Sequence, residues 1–197
     1  MNPNFLNNQL EYTYDNGKWT VDEDRVELIT SPHTDLWQRT YYGFQNDNAP
    51  MIQIGTDKPY FSFVAKVEFD SSHRFDQAGV VLYLDSDNWI KGSVEYENQD
   101  FQRLGSVVTH NGYSDWATQD IAASIQTVWY RLSRRESDYQ LEYSLDGKDF
   151  KQMRITHLDK GADTIQFGIY ACSPEDSSFK ATFSELSILP CQWDAHA

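Results

Sequence analysis

The stretch Phe75–Trp116, FDQAGVVLYLDSDNWIKGSVEYENQDFQRLGSVVTHNGYSDW, decides the fold. Ala78, Val80, Leu82 and Leu84 alternate with Gln77, Gly79, Val81 and Tyr83, the period-2 pattern of a strand with two unlike faces. After the turn-forming Asp85-Ser86-Asp87-Asn88, a second alternation sets Ile90, Gly92 and Val94 against Lys91, Ser93 and Glu95. Both apolar sets must face one core, and a one-residue slip would expose one of them, so the register follows. Leu82 lies opposite Ile90 and Ala78 opposite Val94. On the reverse face Gln77 meets Glu95, Gly79 meets Ser93, Val81 meets Lys91 and Tyr83 meets Trp89. That reverse face is aromatic at one end and polar along its length, as a binding surface would be.

Outward from this hairpin, period 2 recurs and a period near 3.6 is nearly absent. Short strands are expected near Trp19–Val21 and Arg25–Thr30. In His33–Phe44 the alternation puts His33, Asp35, Trp37, Arg39 and Tyr41 on one face and Leu36, Gln38, Thr40 and Tyr42 on the other. Asn46–Pro50 reads as a loop. Phe61, Phe63, Ala65, Val67 and Phe69 form the strongest core stripe of the chain, with Ser62, Lys66 and Glu68 turned outward. Further on come a strand around Leu104–His110, a turn at His110-Asn111-Gly112-Tyr113, and a helical turn at Ile121–Ile125. Tyr130 and Leu132 should pair with Leu141 and Tyr143, and Asp146-Gly147 starts another hairpin. Ile165, Phe167, Ile169 and Ala171 then face inward, and a strand over Phe179–Leu189 ends at Pro190. Many short strands with little helix predict an all-β, two-sheet antiparallel sandwich of jelly-roll type, with a closed barrel as the alternative.

The chain has 197 residues and no Pro/Gly/Ser-rich linker, so a single domain over 1–197 is expected. A formal net charge of −14 argues against nucleic acid, whose phosphates require a basic face, and against anionic membranes. No apolar run approaches the roughly 20 residues of a membrane span. The start, MNPNFLNNQLEY, lacks the basic and apolar regions of a signal peptide, so a cytoplasmic location is expected. Two cysteines, Cys172 and Cys191, then read as reduced thiols, with a single bridge between them as the alternative. Aromatic content is 15%, including six Trp and twelve Tyr. Aromatic rings on polar strands suit the apolar faces of sugars.

Several segments, in one order, carry a resemblance: DLWQRTYYGF, DQAGVVLYLDSDNWIKGSVEYE, SVVTHNGYSDW, WYRL with YSLDG, and FGIYACSP. They resemble the bacterial and fungal family of regulation-of-enolase-like proteins. That family looks like a member of the concanavalin A-like lectin/glucanase superfamily, and is also similar to a C-terminal domain of some β-xylosidases. The resemblance implies two antiparallel sheets with any ligand on the concave one. It maps that family's polar strand positions onto Asp35, Trp37, Arg39, Gln77, Lys91 and Glu95. Alternation adds Tyr83, Arg131 and Tyr170.

Glycoside hydrolysis needs two carboxyl groups flanking the scissile bond. Glucanases of that superfamily carry them as Glu-x-Asp-x(-x)-Glu on one strand, whereas this chain offers Glu95-Tyr96-Glu97 without the third. Asp35 and Glu95 remain the catalytic candidates, with an ion pair from Glu95 to Arg39 or Arg131 as the structural alternative. Trp37 and Trp89 either stack on a ligand or lie buried under a loop. Arg39 and Lys91 on inward-facing strands suit an anionic sugar or phosphorylated metabolite. Asp85–Asn88 lacks the glycine and distal glutamate of a calcium loop, the five histidines lack ligand spacing, and no phosphate or dinucleotide motif occurs, so neither metal nor cofactor is expected. Cys172 reads as a small hydrophobe at a sheet edge rather than a nucleophile. Three readings follow: a carbohydrate-binding lectin-like module, accessory to sugar catabolism; a protein-interaction or regulatory module of the regulation-of-enolase type; and, third, a glycoside-active enzyme. An exposed sheet edge also leaves room for a homodimer.

Overall fold

The computed structural model describes residues 1–161 and 163–194. In chain order the strands are β1 Glu11–Thr13, β2 Lys18–Val21, β3 Arg25–Ile29, β4 Leu36–Gln38, β5 Gln45–Asp47 and β6 Met51–Thr56. They continue as β7 Tyr60–Phe69, β8 Gln77–Asp85, β9 Asn88–Tyr96, β10 Phe101–His110 and β11 Tyr113–Ala122. The last five are β12 Thr127–Arg135, β13 Asp138–Ser144, β14 Lys151–His157, β15 Ile165–Cys172 and β16 Lys180–Leu189. A front sheet runs β1-β6-β15-β8-β9-β10-β11 and a back sheet β14-β13-β12-β7-β16-β3-β2, while β4 and β5 form a separate two-stranded ribbon. Both large sheets keep two open edges, so the molecule is a sandwich and the closed barrel falls away.

The register follows the hydrophobic pattern. In β8–β9 Leu82 pairs with Ile90, Ala78 with Val94, Gln77 with Glu95, Val81 with Lys91 and Tyr83 with Trp89, as expected. Tyr130 pairs with Tyr143 and Leu132 with Leu141. Asn111 and Gly112, both at positive φ (50° and 79°), make the β10–β11 turn. Two left-handed central residues are what a hairpin's right-handed twist favours. Between the sheets, Phe61, Phe63, Val80, Leu82, Ile90, Val94, Phe167 and Ile169 share one continuous core. Phe63 packs its ring 5.0 Å from Phe5 and 5.2 Å from Phe167.

Alternation alone does not announce β6. Met51, Ile52, Gln53 and Ile54 are all buried because this interior strand is covered on both faces. Ile121 does not begin a helical turn: it pairs with Gln102 in the β10–β11 ladder, and the Ile125 amide closes a tight turn on the Ala122 carbonyl at 3.1 Å. Asn46 and Asp47, expected in a loop, lie in β5.

The outer face of the front sheet carries a second apolar cluster, with Met51, Val81, Trp89, Val107, Tyr170 and Cys172 under Leu36 and Ala49. A strap, residues 33–50, crosses that face and supplies Leu36 and Ala49 itself. This places Trp89 in the buried cluster, where its Nε1 donates to the Ser86 carbonyl at 3.2 Å, and not on a ligand-facing wall. Cys172 is likewise interior: its strand β15 lies between β6 and β8, so it does not sit at a sheet edge.

Candidate functional site

Where the strap stops covering the front sheet, a cleft of about 820 Å³ opens. Its floor is the polar face read from the hairpin. Gln77 on β8 sits opposite Glu95 on β9, and Lys91 is four residues back along the same strand face. The Lys91 Nζ donates to Gln77 Oε1 at 2.8 Å and to the Leu36 carbonyl of the strap at 2.8 Å, with Asp35 Oδ1 3.9 Å away. The Tyr170 hydroxyl, wholly buried beneath, donates to the same Gln77 Oε1 at 3.0 Å. With its oxygen doubly engaged, the Gln77 amide must present its NH₂, and that group donates to Glu95 Oε2 at 3.3 Å and to the Phe75 carbonyl at 3.3 Å. The floor is thus one oriented chain of hydrogen bonds ending on a carboxyl at the cleft surface.

The walls are aromatic and acidic. Trp37 from the strap meets Trp116 from β11 edge to face, centroids 6.3 Å apart and planes at 83°. Gly105 makes room for this: a Cβ there would lie 2.6 Å from the Ala117 carbonyl oxygen and 3.1 Å from Trp116 Nε1. Arg103, opposite Glu95 on β10, lies 5.5 Å from the Trp116 ring. Glu97 bridges two cations, 2.7 Å from Arg74 Nη2 and 3.5 Å from Arg103 Nε. Glu97, Asp115 and Glu175 join Asp35 and Glu95 along the lining, against cations at Arg74, Lys91 and Arg103.

Burial in this cleft pushes the Glu95 carboxyl up to about 7; Lys91 opposes that shift, and the Asp35 charge adds to it. The Asp35 carboxyl is also raised by burial, against the pull of Lys91 and of the Leu36 amide. The sequence-derived candidates therefore divide. Asp35, Trp37, Gln77, Lys91 and Glu95 line one cavity. Tyr170 lies under it and holds Gln77.

Three candidates lie elsewhere. The β4 strand ends at Gln38, and Arg39 and Tyr41 take positive φ (55° and 83°), which breaks the alternation assumed through Tyr41. Arg39 consequently turns to Asp87 (3.2 Å) and the Gly112 carbonyl (2.8 Å), not to Glu95 or Asp35. Arg131 lies on β12 of the back sheet, on the opposite parity from the core residues Tyr130 and Leu132, in a two-bonded pair with Glu142. Tyr83 points to the far side of the strap, donating to Asp47 Oδ2 at 3.0 Å. Neither arginine pairs with Glu95, so that structural alternative does not hold. The Asp85 side chain caps its own turn, accepting from the Asp87 amide and the Asn88 side chain. Among the described residues, no group of three His, Cys, Asp or Glu is placed to hold a metal ion, and no helix is long and apolar enough to cross a membrane.

Alternation alone does not bring Arg103, Glu97, Trp116, Tyr42 and Phe44 to the cleft they line. Carrying the β8–β9 register one strand further would have put Arg103 beside Glu95. Tyr42 and Phe44 reach the cleft because of the left-handed residues at 39, 41 and 43, which alternation cannot foresee.

Fold and cleft together define an antiparallel β-sandwich of the concanavalin A-like kind with a polar, aromatic-walled groove on one sheet. The chain belongs to the family described as "Protein of unknown function (DUF1349)", whose family model matches residues 12–191. It is 31% identical over 166 residues to Regulation of enolase protein 1 of Saccharomyces cerevisiae, covering 83% of this chain and 81% of that protein. It is 23% identical over 124 residues to a putative beta-xylosidase of Escherichia coli, covering 59% of this chain but only 23% of that protein. Among solved structures, a functionally unknown protein from Saccharomyces cerevisiae superposes with a TM-score of 0.86 at 28% identity, covering 94% of this chain and 98% of the other. A GH43 protein from Bacillus licheniformis superposes with a TM-score of 0.67 at 18% identity, covering 88% of this chain and 34% of that one. At that identity the likeness concerns the fold alone.

Proposed function

We propose that the protein is a sugar-binding module that holds a neutral carbohydrate in the front-sheet cleft without cleaving it. The observation that carries this reading is the oriented floor: Lys91 and Tyr170 fix Gln77, and Gln77 presents its amide to Glu95. Gln77 spends both acceptor sites and both amide protons inside the floor, so what reaches a ligand there is the Glu95 carboxyl that it orients, and Trp37 and Trp116 offer planes for a sugar's apolar face. The cations that favoured an anionic ligand are engaged. Arg39 is tied to Asp87, and Lys91 spends its protons on Leu36 and Gln77. Arg74 and Arg103 are likewise held on Glu97, and cations already engaged within the protein favour a neutral sugar over a phosphorylated one.

The test is calorimetric titration with neutral mono- and oligosaccharides, xylose and xylobiose among them, beside sugar phosphates. Saturable binding of a neutral sugar, lost in Gln77→Ala and Trp37→Ala variants that still melt cooperatively, supports the reading. Preference for the phosphates, or no binding at all, overturns it.

The name of the yeast relative favours a second reading, a regulatory module that acts by touching another protein. Mixing the purified protein with enolase and following enolase turnover tests it. An effect that persists in Gln77→Ala would locate regulation outside the cleft.

A further inference from the structure

The tip of the strap holds its aromatic side chains out in solvent. Tyr41 is 94% exposed, Tyr42 65% and Phe44 38%. Single exposed aromatics need no explanation, but three within four residues form a patch. The Tyr42 and Phe44 rings lie nearly parallel, 22° apart with centroids at 5.7 Å, and Tyr41 stands edge-on to Tyr42 at 5.3 Å.

The tip's backbone is unusual as well. Arg39, Tyr41 and Gly43 all have positive φ, at 55°, 83° and 72°. Only the glycine adopts that conformation without strain, so the fold holds Arg39 and Tyr41 there against their preference. The Arg39 side chain supplies the tether: it reaches Asp87 at the β8–β9 turn and the Gly112 carbonyl at the β10–β11 turn. Gly43 has nothing within 4 Å of where a Cβ would stand, so its glycine serves the turn and not packing.

Tyr41, Tyr42 and Phe44 border the same cleft as Asp35 and Glu95, on its solvent side. The cleft's 820 Å³ stands toward the upper end of the roughly 300–1,000 Å³ of small-molecule sites, more than one sugar ring fills. The chain's net charge of −14 disfavours a nucleic acid, which needs cations along its backbone, on this stacking platform. The platform suits a neutral chain of rings.

Resting on the sugar-binding reading above, we propose that the strap tip, Tyr42 and Phe44 with Tyr41, is a second stacking subsite, so that the cleft takes an oligosaccharide rather than a free monosaccharide. The floor fixes one unit by hydrogen bonds, and the tip carries the units that follow by ring stacking. Arg39 is a positioning residue for the tip.

The experiment is titration with xylo-, cello- and manno-oligosaccharides of one to six units, read as the ratio of chain to monosaccharide affinity. That ratio should reach about tenfold for the preferred series, the scale of one or two stacked rings. It should fall toward one in Tyr42→Ala/Phe44→Ala and in Arg39→Ala, and persist in Tyr113→Ala, whose ring is 63% exposed at the β10–β11 turn. Equal affinity for all lengths overturns the subsite while leaving the floor reading intact. So does a dimer in sedimentation that the double variant dissolves, with no effect of chain length. Absence of binding at every length removes the floor reading itself, and the subsite with it.

Discussion

The Lys91 ammonium joins the strap to the sheet, donating to the Leu36 carbonyl at 2.8 Å across a sequence separation of 55 residues. Lys91 is 3% exposed, and its other contacts are Gln77 Oε1, Asp35 at 3.9 Å and the rings of Trp89 and Tyr170, each 5.7 Å away. Lys91→Met keeps the length of the stem but leaves the Leu36 carbonyl without its donor, Gln77 Oε1 with Tyr170 alone, and Asp35 without the ammonium beside it. The expected loss is about 2–4 kcal/mol in urea unfolding. A change below about 1 kcal/mol, the scale of a surface substitution, would mean that the strap is held by its apolar contacts alone.

Phe63→Ala should cost about 3–5 kcal/mol, since the ring is fully buried among Phe5, Phe167 and the rest of the core. Trp37→Ala removes a ring that is only half-buried, with one bond from its Nε1 to the Thr40 carbonyl. It should destabilise distinctly less, and paired denaturation curves of the two variants provide the check. If Trp37→Ala were the more damaging, Trp37 would belong to the fold rather than to the cleft.

Much of this molecule was legible in the sequence because period 2 is a direct consequence of pleating. Wherever a strand had one apolar and one polar face, as in Gln77–Leu84 and Asn88–Glu95, register and facing followed. Legibility ended where that premise failed. Met51–Ile54 is buried on both faces, so its burial shows no alternation. In the strap, Asp35 and Trp37 line the cleft, but three left-handed residues turn Arg39 away and bring Tyr42 and Phe44 to its border. For Arg131 alternation gives the parity but not the sheet, because it reports which side of a strand a residue occupies and not which layer that strand joins.

The two thiols should differ sharply in reactivity. Both are free, but Cys172 is fully buried while Cys191 is partly exposed. Burial also pushes the Cys172 thiol well above its ordinary pKa, further suppressing the thiolate that reacts. An aromatic-disulfide reagent should therefore titrate one thiol in the native protein and two after denaturation without reductant. Two fast thiols in the native state would show that the strap opens readily. None after denaturation would reveal a Cys172–Cys191 bridge.

Glu95 gives the protein a pH dependence of definite sign. Its carboxyl titrates at about 7 in the fold and at the ordinary 4.5 when unfolded, chiefly because it is buried. Between those values the native state binds more protons than the unfolded chain, so stability falls as pH rises from 4.5 through 7. The groups that set the shift are Lys91 and Arg103, which favour the carboxylate, and Asp35 and Glu97, which oppose it. Glu95→Gln mimics the protonated form and can still accept from Gln77. It should match the wild type at pH 4.5 and exceed it at pH 8 by about 1–3 kcal/mol, a range below the full shift because Glu95 is only partly buried. Part of the slope should survive in the variant, because burial raises Asp35 in the same direction. Urea midpoints at pH 4.5, 6 and 8 decide the matter: parallel pH profiles for the two proteins would mean that Glu95 is already ionised in the native cleft, and that the floor presents a full negative charge at neutral pH.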